Sequence, residues 1–346
     1  MKTNLIAACT LAALAGTVQA QSSVQLMGLA DVYAGSKRMA GDAGRASVVN
    51  SGGMTTSWFG VKGTEDLGGG LKANFALTSF IQVDSGVQGR FANDPFFSRD
   101  ANVGLAGGFG TLTLGRGLAP NFLPTVIFNP FGDSFTFSPL VLHANVPLFN
   151  ASGWRATTPS DTGWANEIIY STPSFGGLSA NFAGGGANGY LVEVAGDSGP
   201  KNVGLNVLYF NGPFAATAFY ERDQIGNPNP TTPFATADRK TDWMLGASYD
   251  AKVVKGFLTY GKAKSDTLVP QAKTVSWGAS VPVGAGKVLV GAAKTRVTPG
   301  NTRDTWTVGY DYFLSKSTDV YAMYMRDRIT SFSSGTSFGA GIRKRF

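Results

Sequence analysis

Cysteine is nearly absent. The 346-residue chain has one, Cys9, and it sits in a leader-like N-terminal segment. Once that segment is removed, neither a disulfide nor a thiolate metal site can form. Histidine is as scarce. The single one, His143, ends the apolar run Pro139-Leu140-Val141-Leu142-His143, with no serine–histidine–aspartate grouping around it, which argues against an enzyme. Charged residues make up only 15% of the chain. Beyond the N-terminus no apolar run reaches the length of a membrane-spanning helix, which excludes a helical membrane protein. The glycine run Gly184-Gly185-Gly186-Ala187-Asn188-Gly189 lacks the Lys-Ser/Thr of a phosphate loop and reads as a flexible loop. Asp84, Asp94, Asp197 and Asp223 fall in loops but lack EF-hand spacing. No cofactor and no metal is expected.

The N-terminus has a basic Lys2, a short apolar core from Leu5 to Ala15, and Val18-Gln19-Ala20 ahead of Gln21. This is the pattern of an export signal over residues 1–20, leaving 21–346 as the mature domain. Losing Lys2 lowers the formal net charge from +7 to +6. A basic excess can mean nucleic acid, but an exported chain meets lipopolysaccharide and anionic solutes instead.

Glycine is plentiful, at 46 residues, and aromatics reach 12%. From Ser22 onward apolar and polar residues alternate with period two, as in Leu71, Ala73, Phe75 and Leu77 against Lys72, Asn74, Ala76 and Thr78. Sixteen such segments can be placed. Five lie near 22–37, 54–66, 70–83, 97–107 and 110–117. Eleven follow, near 163–172, 177–184, 201–210, 213–222, 241–250, 252–262, 272–282, 285–295, 303–313, 318–328 and 335–346. The connections alternate between short turns and long loops, and both chain ends fall on the short-turn side. An even count of strands about long enough to cross a bilayer, with this alternation, indicates an all-β, sixteen-stranded antiparallel transmembrane barrel of the bacterial outer membrane. Aromatics near strand ends, among them Tyr170, Tyr209, Trp243, Trp306 and Tyr312, fit interfacial girdles.

The segment 117–163 breaks the pattern. Pro120, Pro124, Pro130, Pro139, Pro147 and Pro159 forbid a long helix or a ladder strand. A structureless stretch of that length is functional when it belongs to a compact domain. The natural place for it is inside the barrel, as a long third extracellular loop that narrows the lumen.

Specific stretches then point to a family. Ser22-Ser23-Val24-Gln25-Leu26-Met27-Gly28, the hairpin from Gly60 to Ala73, Ser98-Arg99-Asp100-Ala101-Asn102-Val103-Gly104-Leu105 and Phe109-Gly110-Thr111-Leu112-Thr113-Leu114-Gly115-Arg116 resemble the general porins of Gram-negative bacteria, in their β-proteobacterial form. The terminal Phe346 resembles the signal read by the barrel-assembly machinery. The resemblance implies a homotrimer with the third loop folded inward as a constriction. By position it implies basic wall residues at Lys62, Arg99 and Arg116, with Arg155 a looser candidate, and a loop motif at Asn129-Pro130-Phe131-Gly132-Asp133. The chain departs from the pattern at Trp58, where the family commonly has arginine, and at Trp164 and Ile169. Asp133 is the only acid between Gly117 and Ser160, amid Phe122, Phe128, Phe131, Phe135, Phe137 and Phe149. A channel selects by width and lining charge, so weak to moderate anion preference is expected for an otherwise passive pore for small hydrophilic solutes and ions. The alternatives are a channel favouring small aromatic or amphipathic anions, and a plugged barrel serving as an adhesin or structural protein.

Overall fold

The computed structural model describes residues 22–90, 94–144, 149–150, 153–154, 162–185, 202–224, 239–265, 271–298 and 300–346. The export segment, Arg155 and Asp197 lie outside the described residues.

Among these residues sixteen strands form the wall. They are β1 (Ser23–Lys37), β2 (Trp58–Gly68), β3 (Leu71–Gln82), β4 (Asp100–Gly107), β5 (Gly110–Leu118), β6 (Gly163–Ser171), β7 (Leu178–Gly185) and β8 (Asn202–Asn211). The second half comprises β9 (Phe214–Gln224), β10 (Arg239–Asp250), β11 (Lys255–Ser265), β12 (Ala272–Val283), β13 (Gly286–Val297), β14 (Thr302–Ser315), β15 (Thr318–Ile329) and β16 (Gly335–Arg345). Each strand pairs antiparallel with the next, including β5 with β6 across the long segment. The sheet closes where Leu29–Ser36 of β1 pairs with Phe338–Arg345 of β16. Gly28 and Phe346 extend that seam with reciprocal backbone hydrogen bonds of 2.9 and 3.0 Å. Closure leaves no bare edge, the condition for a sheet to exist in lipid.

Side chains alternate across the wall as strand geometry requires. On β15, Asp319, Tyr321, Met323, Met325 and Asp327 are buried on one face, while Ala322, Tyr324, Arg326 and Arg328 are exposed on the other. The exposed face of the wall carries Val24, Leu26, Val103, Ile168, Leu245 and Leu258. A band of this kind would be an aggregation surface in water and is the lipid-facing belt of a membrane barrel. Aromatic pairs border it. Tyr209 and Phe214 lie 6.4 Å apart near the short turns, and Trp243–Tyr260 and Trp306–Tyr324 lie 5.6 and 5.5 Å apart toward the loops.

Two strand limits differ from the sequence pattern for local reasons. β2 starts at Trp58 rather than near 54 because the N–H groups of Gly53, Met54 and Thr55 are taken by the buried Asp31 carboxylate at 3.1, 2.8 and 2.8 Å. β11 starts at Lys255 rather than near 252. There Asp250 Oδ1 accepts from Lys252 N at 2.8 Å, Lys252 adopts φ 69°, and Val253 and Val254 are turn residues despite their β-branched side chains.

The proline-rich segment forms two six-residue helices, α1 (Phe122–Ile127) and α2 (Pro139–Ala144). Pro124 falls in the first turn of α1 and Pro139 opens α2, where the missing N–H costs least. Asn129 ties the turn between them: its Nδ2 donates to Thr125 O and Gly132 O at 2.8 and 2.9 Å, and its Oδ1 accepts from Phe131 N and Ser138 Oγ at 2.8 and 2.9 Å.

This segment packs on wall faces turned away from the lipid belt, and the glycines of those strands make room for it. A Cβ at Gly204 would lie 2.8 Å from Pro120, at Gly278 2.6 Å from Pro130, at Gly291 3.0 Å from Phe131, and at Gly339 2.8 Å from Phe137. Phe131 and Phe137 join Tyr33, Leu289, Met323 and Met325 in one buried cluster. Trp164 and Ile169 pack with Ala119 at the segment's root. Replacing Gly278 with valine is therefore expected to push the rigid Pro130 ring off its seat, at a cost of about 1–3 kcal/mol. A drop in the urea unfolding midpoint larger than that from a valine placed at the open turn residue Gly108, where a Cβ meets nothing within 4 Å, checks this.

Candidate functional site

The sequence-assigned cations gather where β2, β4 and β5 meet the long segment. Arg99 precedes β4. Its Nη1 donates to Asp100 Oδ2 at 2.7 Å, and its guanidinium lies 4.1 Å from the centre of the Trp58 ring. Trp58, the departure from the family pattern, is thus the face on which Arg99 stacks. Lys62 on β2 reaches the same carboxylate oxygen at 3.9 Å, and Thr78 Oγ1 donates to it at 2.7 Å. Arg116 ends β5, is buried, and donates from Nε to Ser98 O at 2.7 Å.

Arg99 and Arg116 border one cavity with Asp133 and Phe135 from the long segment. It holds about 480 Å³ of empty space and is continuous with open solvent. Asp133 is half-buried. Burial pushes its carboxyl up from the usual 3.8, partly offset by a hydrogen bond with Thr55 and by the charges of Arg343 and Arg99. Phe131 does not line this cavity; it is fully buried against the wall. Lys62 sits beside the cavity, joined to it through Asp100.

Two further arginines belong to the site and were not singled out in the sequence. Arg90, after β3, forks onto Asp94 with contacts of 2.9 and 3.0 Å and lies 4.9 Å over the Phe80 ring. Arg343 on β16 donates to Asp319 and Thr55, each at 2.9 Å. Period two on β16 places Arg343 opposite the exposed Phe338, Ala340 and Ile342, so its inward position was readable; its partners were not. Counting acids only on the long segment also missed the carboxylates supplied by other elements. Asp94, Asp100 and Asp319 each answer an arginine, so the lining is a set of paired charges rather than a bare basic wall.

On β9 and β10, carboxylate oxygens of Glu221, Asp223 and Asp242 lie within 4.8 Å of one another, the one such grouping among the described residues. The Lys240 ammonium stands 3.5, 3.7 and 3.5 Å from them and supplies the cation that a metal otherwise would. Of the loop acids weighed for cation binding, Asp94 is committed to Arg90, and Asp84 accepts from Ser51 N at 3.1 Å.

His143, at the end of α2, is a clamp. Its Nδ1 lies 2.9 Å from Thr295 Oγ1 and its Nε2 2.8 Å from Thr305 Oγ1. Thr305 donates its own proton to Asp327 at 2.6 Å, so it accepts from His143 Nε2–H, and Thr295 donates to Nδ1. Burial, aided by the nearby Arg303 charge, holds the imidazole well below its ordinary 6.5 and keeps it neutral. The unfolded chain binds this proton below pH 6.5 and the folded chain does not. The clamp's stabilisation is therefore full above that pH and is lost as the pH falls below it. Thermal unfolding of wild type is expected to weaken between pH 7 and pH 5 by more than that of His143→Gln; equal losses would show that other groups carry the acid sensitivity.

A closed, lipid-belted barrel with a charged cavity inside its wall defines an outer-membrane channel protein. The family model for Gram-negative porins matches residues 7–330, and the chain belongs to that family. Outer membrane porin protein 32 of Delftia acidovorans is 35% identical over 332 residues, covering 93% of this chain and 88% of that protein. An outer membrane porin protein of Bordetella pertussis is 27% identical over 404 residues, covering 100% of both. The solved anion-selective porin from Comamonas acidovorans superposes with a TM-score of 0.76 at 27% identity, covering 94% of this chain and all of that one. The protein is an integral outer-membrane porin.

Proposed function

We propose that this porin is a water-filled channel, and not a catalyst, through which small hydrophilic solutes and ions diffuse passively with a weak preference for anions. The constriction is residues 119–144 of the long segment, and Arg90, Arg99, Arg116 and Asp133 form its charged face. The observation that carries this is their convergence on one solvent-continuous cavity. Arg90, Arg99, Arg116 and the adjoining Lys62 outnumber Asp94, Asp100 and Asp133 by one positive charge, which leaves anions the easier passage. The relative solved as an anion-selective porin supports the same sign. The working unit is a homotrimer in lipopolysaccharide-bearing outer membrane, with residues 1–20 removed on export and Phe346 read by the assembly machinery. The Phe346 ring lies over Gly28, where a Cβ would come within 2.5 Å of it, so that glycine serves the seam, and Ala30 and Ala340 are left as small residues for barrel–barrel packing.

Insertion into a planar bilayer under a tenfold KCl gradient tests the reading. Triplet conductance steps with a zero-current potential on the anion side are expected. A potential on the cation side overturns the charge assignment, and absence of steps points to a plugged barrel.

A further inference from the structure

The five described phenylalanines of residues 119–144 do two different jobs. Phe128, Phe131 and Phe137 are fully buried on the wall. Phe122 and Phe135 are only half-buried, and together with Phe80 they border the cavity that holds Arg90, Arg99 and Arg116. Packing the segment down accounts for the first three. It does not require open aromatic faces beside these arginines, where an apolar surface works against purely hydrophilic solutes.

We infer that this cavity is a binding subsite for small aromatic monocarboxylates, with the ring against Phe122 and Phe135 and the carboxylate toward Arg99. The inference rests on the channel reading above and names its preferred solute class. Arg99 is suited to the task. Its side chain is 22% exposed, and its plane is fixed by Asp100 on one side and the Trp58 ring on the other, which lowers the ordering cost of a bound carboxylate. The cavity sets the apolar faces of Phe80, Phe122 and Phe135 beside a few placed polar groups, the combination that small-ligand pockets use. The nearby carboxylates of Asp94, Asp100 and Asp133 set the charge of the ligand. A single negative charge is compensated by the arginines, whereas a second one would face acids at close range. Neutral sugars would use the rings but forgo the guanidinium.

The test uses purified wild-type channel in a planar bilayer at fixed KCl, with sodium benzoate, cyclohexanecarboxylate and acetate added in turn. Block of the KCl current by benzoate is expected at a concentration at least tenfold lower than by acetate, with cyclohexanecarboxylate between them. In a Phe122→Ala, Phe135→Ala double variant the benzoate-to-acetate ratio should fall toward one, and Arg99→Gln should weaken both acids. Heat-modifiable migration on gels confirms that each variant is folded. Equal block by benzoate and acetate in wild type overturns the inference without any variant. So does a ratio that the double variant leaves unchanged. If the KCl gradient gives anion preference while benzoate and acetate behave alike, only the subsite is wrong. If it gives cation preference, the charge assignment beneath both readings fails.

Discussion

Arg99→Glu should reverse the sign of the zero-current potential. The substitution changes the cavity charge by two units at a side chain that borders the passage. A unit charge about 5 Å from a passing ion contributes roughly 1–3 kcal/mol for effective dielectric constants between 80 and 20. Two units then move the anion-to-cation permeability ratio by about tenfold or more. The new carboxylate would also stand against Asp100, which now accepts Arg99 Nη1 at 2.7 Å, and would leave Lys62 as that residue's main cation. Salt screens the effect within about 3 Å at 1 M and about 10 Å at 0.1 M, so the measurement belongs at low ionic strength. Arg99→Gln should give about half the shift. A potential that keeps its sign in Arg99→Glu would place the selecting charges elsewhere, at Arg116 or Arg343 first.

The second large effect is expected from a residue outside the cavity. Asp31 on β1 is fully buried. It accepts the N–H groups of Gly53, Met54 and Thr55 and the hydroxyl of Tyr321. The turn it holds is the ledge on which the long segment rests: Ser134 Oγ donates to Gly53 O at 2.6 Å and Thr136 Oγ1 to Gly52 O at 2.8 Å. Asp133, next to Ser134 in sequence, is positioned through this contact. Asp31→Ala leaves three buried backbone donors without their acceptor, and each costs about 1–3 kcal/mol when unmet. A loss of about 3 kcal/mol or more is expected, read as a lowered urea midpoint, together with larger and noisier conductance steps as the segment shifts. Asp31→Asn, which keeps one acceptor oxygen, should fall between. Unchanged steps in a destabilised Asp31→Ala channel would mean that Asn129, His143 and the glycine seats hold the segment by themselves.

Lys62, Arg99 and Arg116 could be located from the sequence because each sits in or beside a strand whose register and family resemblance are strong. Their pairing could not, because Asp100 serves both Lys62 and Arg99, and Arg116 answers the backbone of Ser98. The phenylalanines show the limit most directly. Phe131 and Phe135 look alike in sequence, close together in one loop. One is fully buried against Gly291 and the other borders the charged cavity. Nothing local separates them; the glycine on a distant strand does.

What the chain alone determined is the barrel. Period-two alternation, turn chemistry and the contrast of short and long connections are local properties, and lipid outside with water inside leaves a closed even-stranded sheet as their solution. Even there, Val253 and Val254 were misplaced because an Asp250 turn overrode their β preference. What only the tertiary structure decided is where the long segment rests and which charges meet it. Those charges come from β2, β4, β5, β16 and the connection between β3 and β4, and the segment crosses to glycine seats on β8, β12, β13 and β16. These contacts are set by closure of the sheet, since the first and last strands become neighbours only when the barrel is complete. A long-range hydrogen bond such as Tyr321 to Asp31 is invisible to any window along the chain, yet it fixes where the loop rests and therefore what the pore presents to a solute.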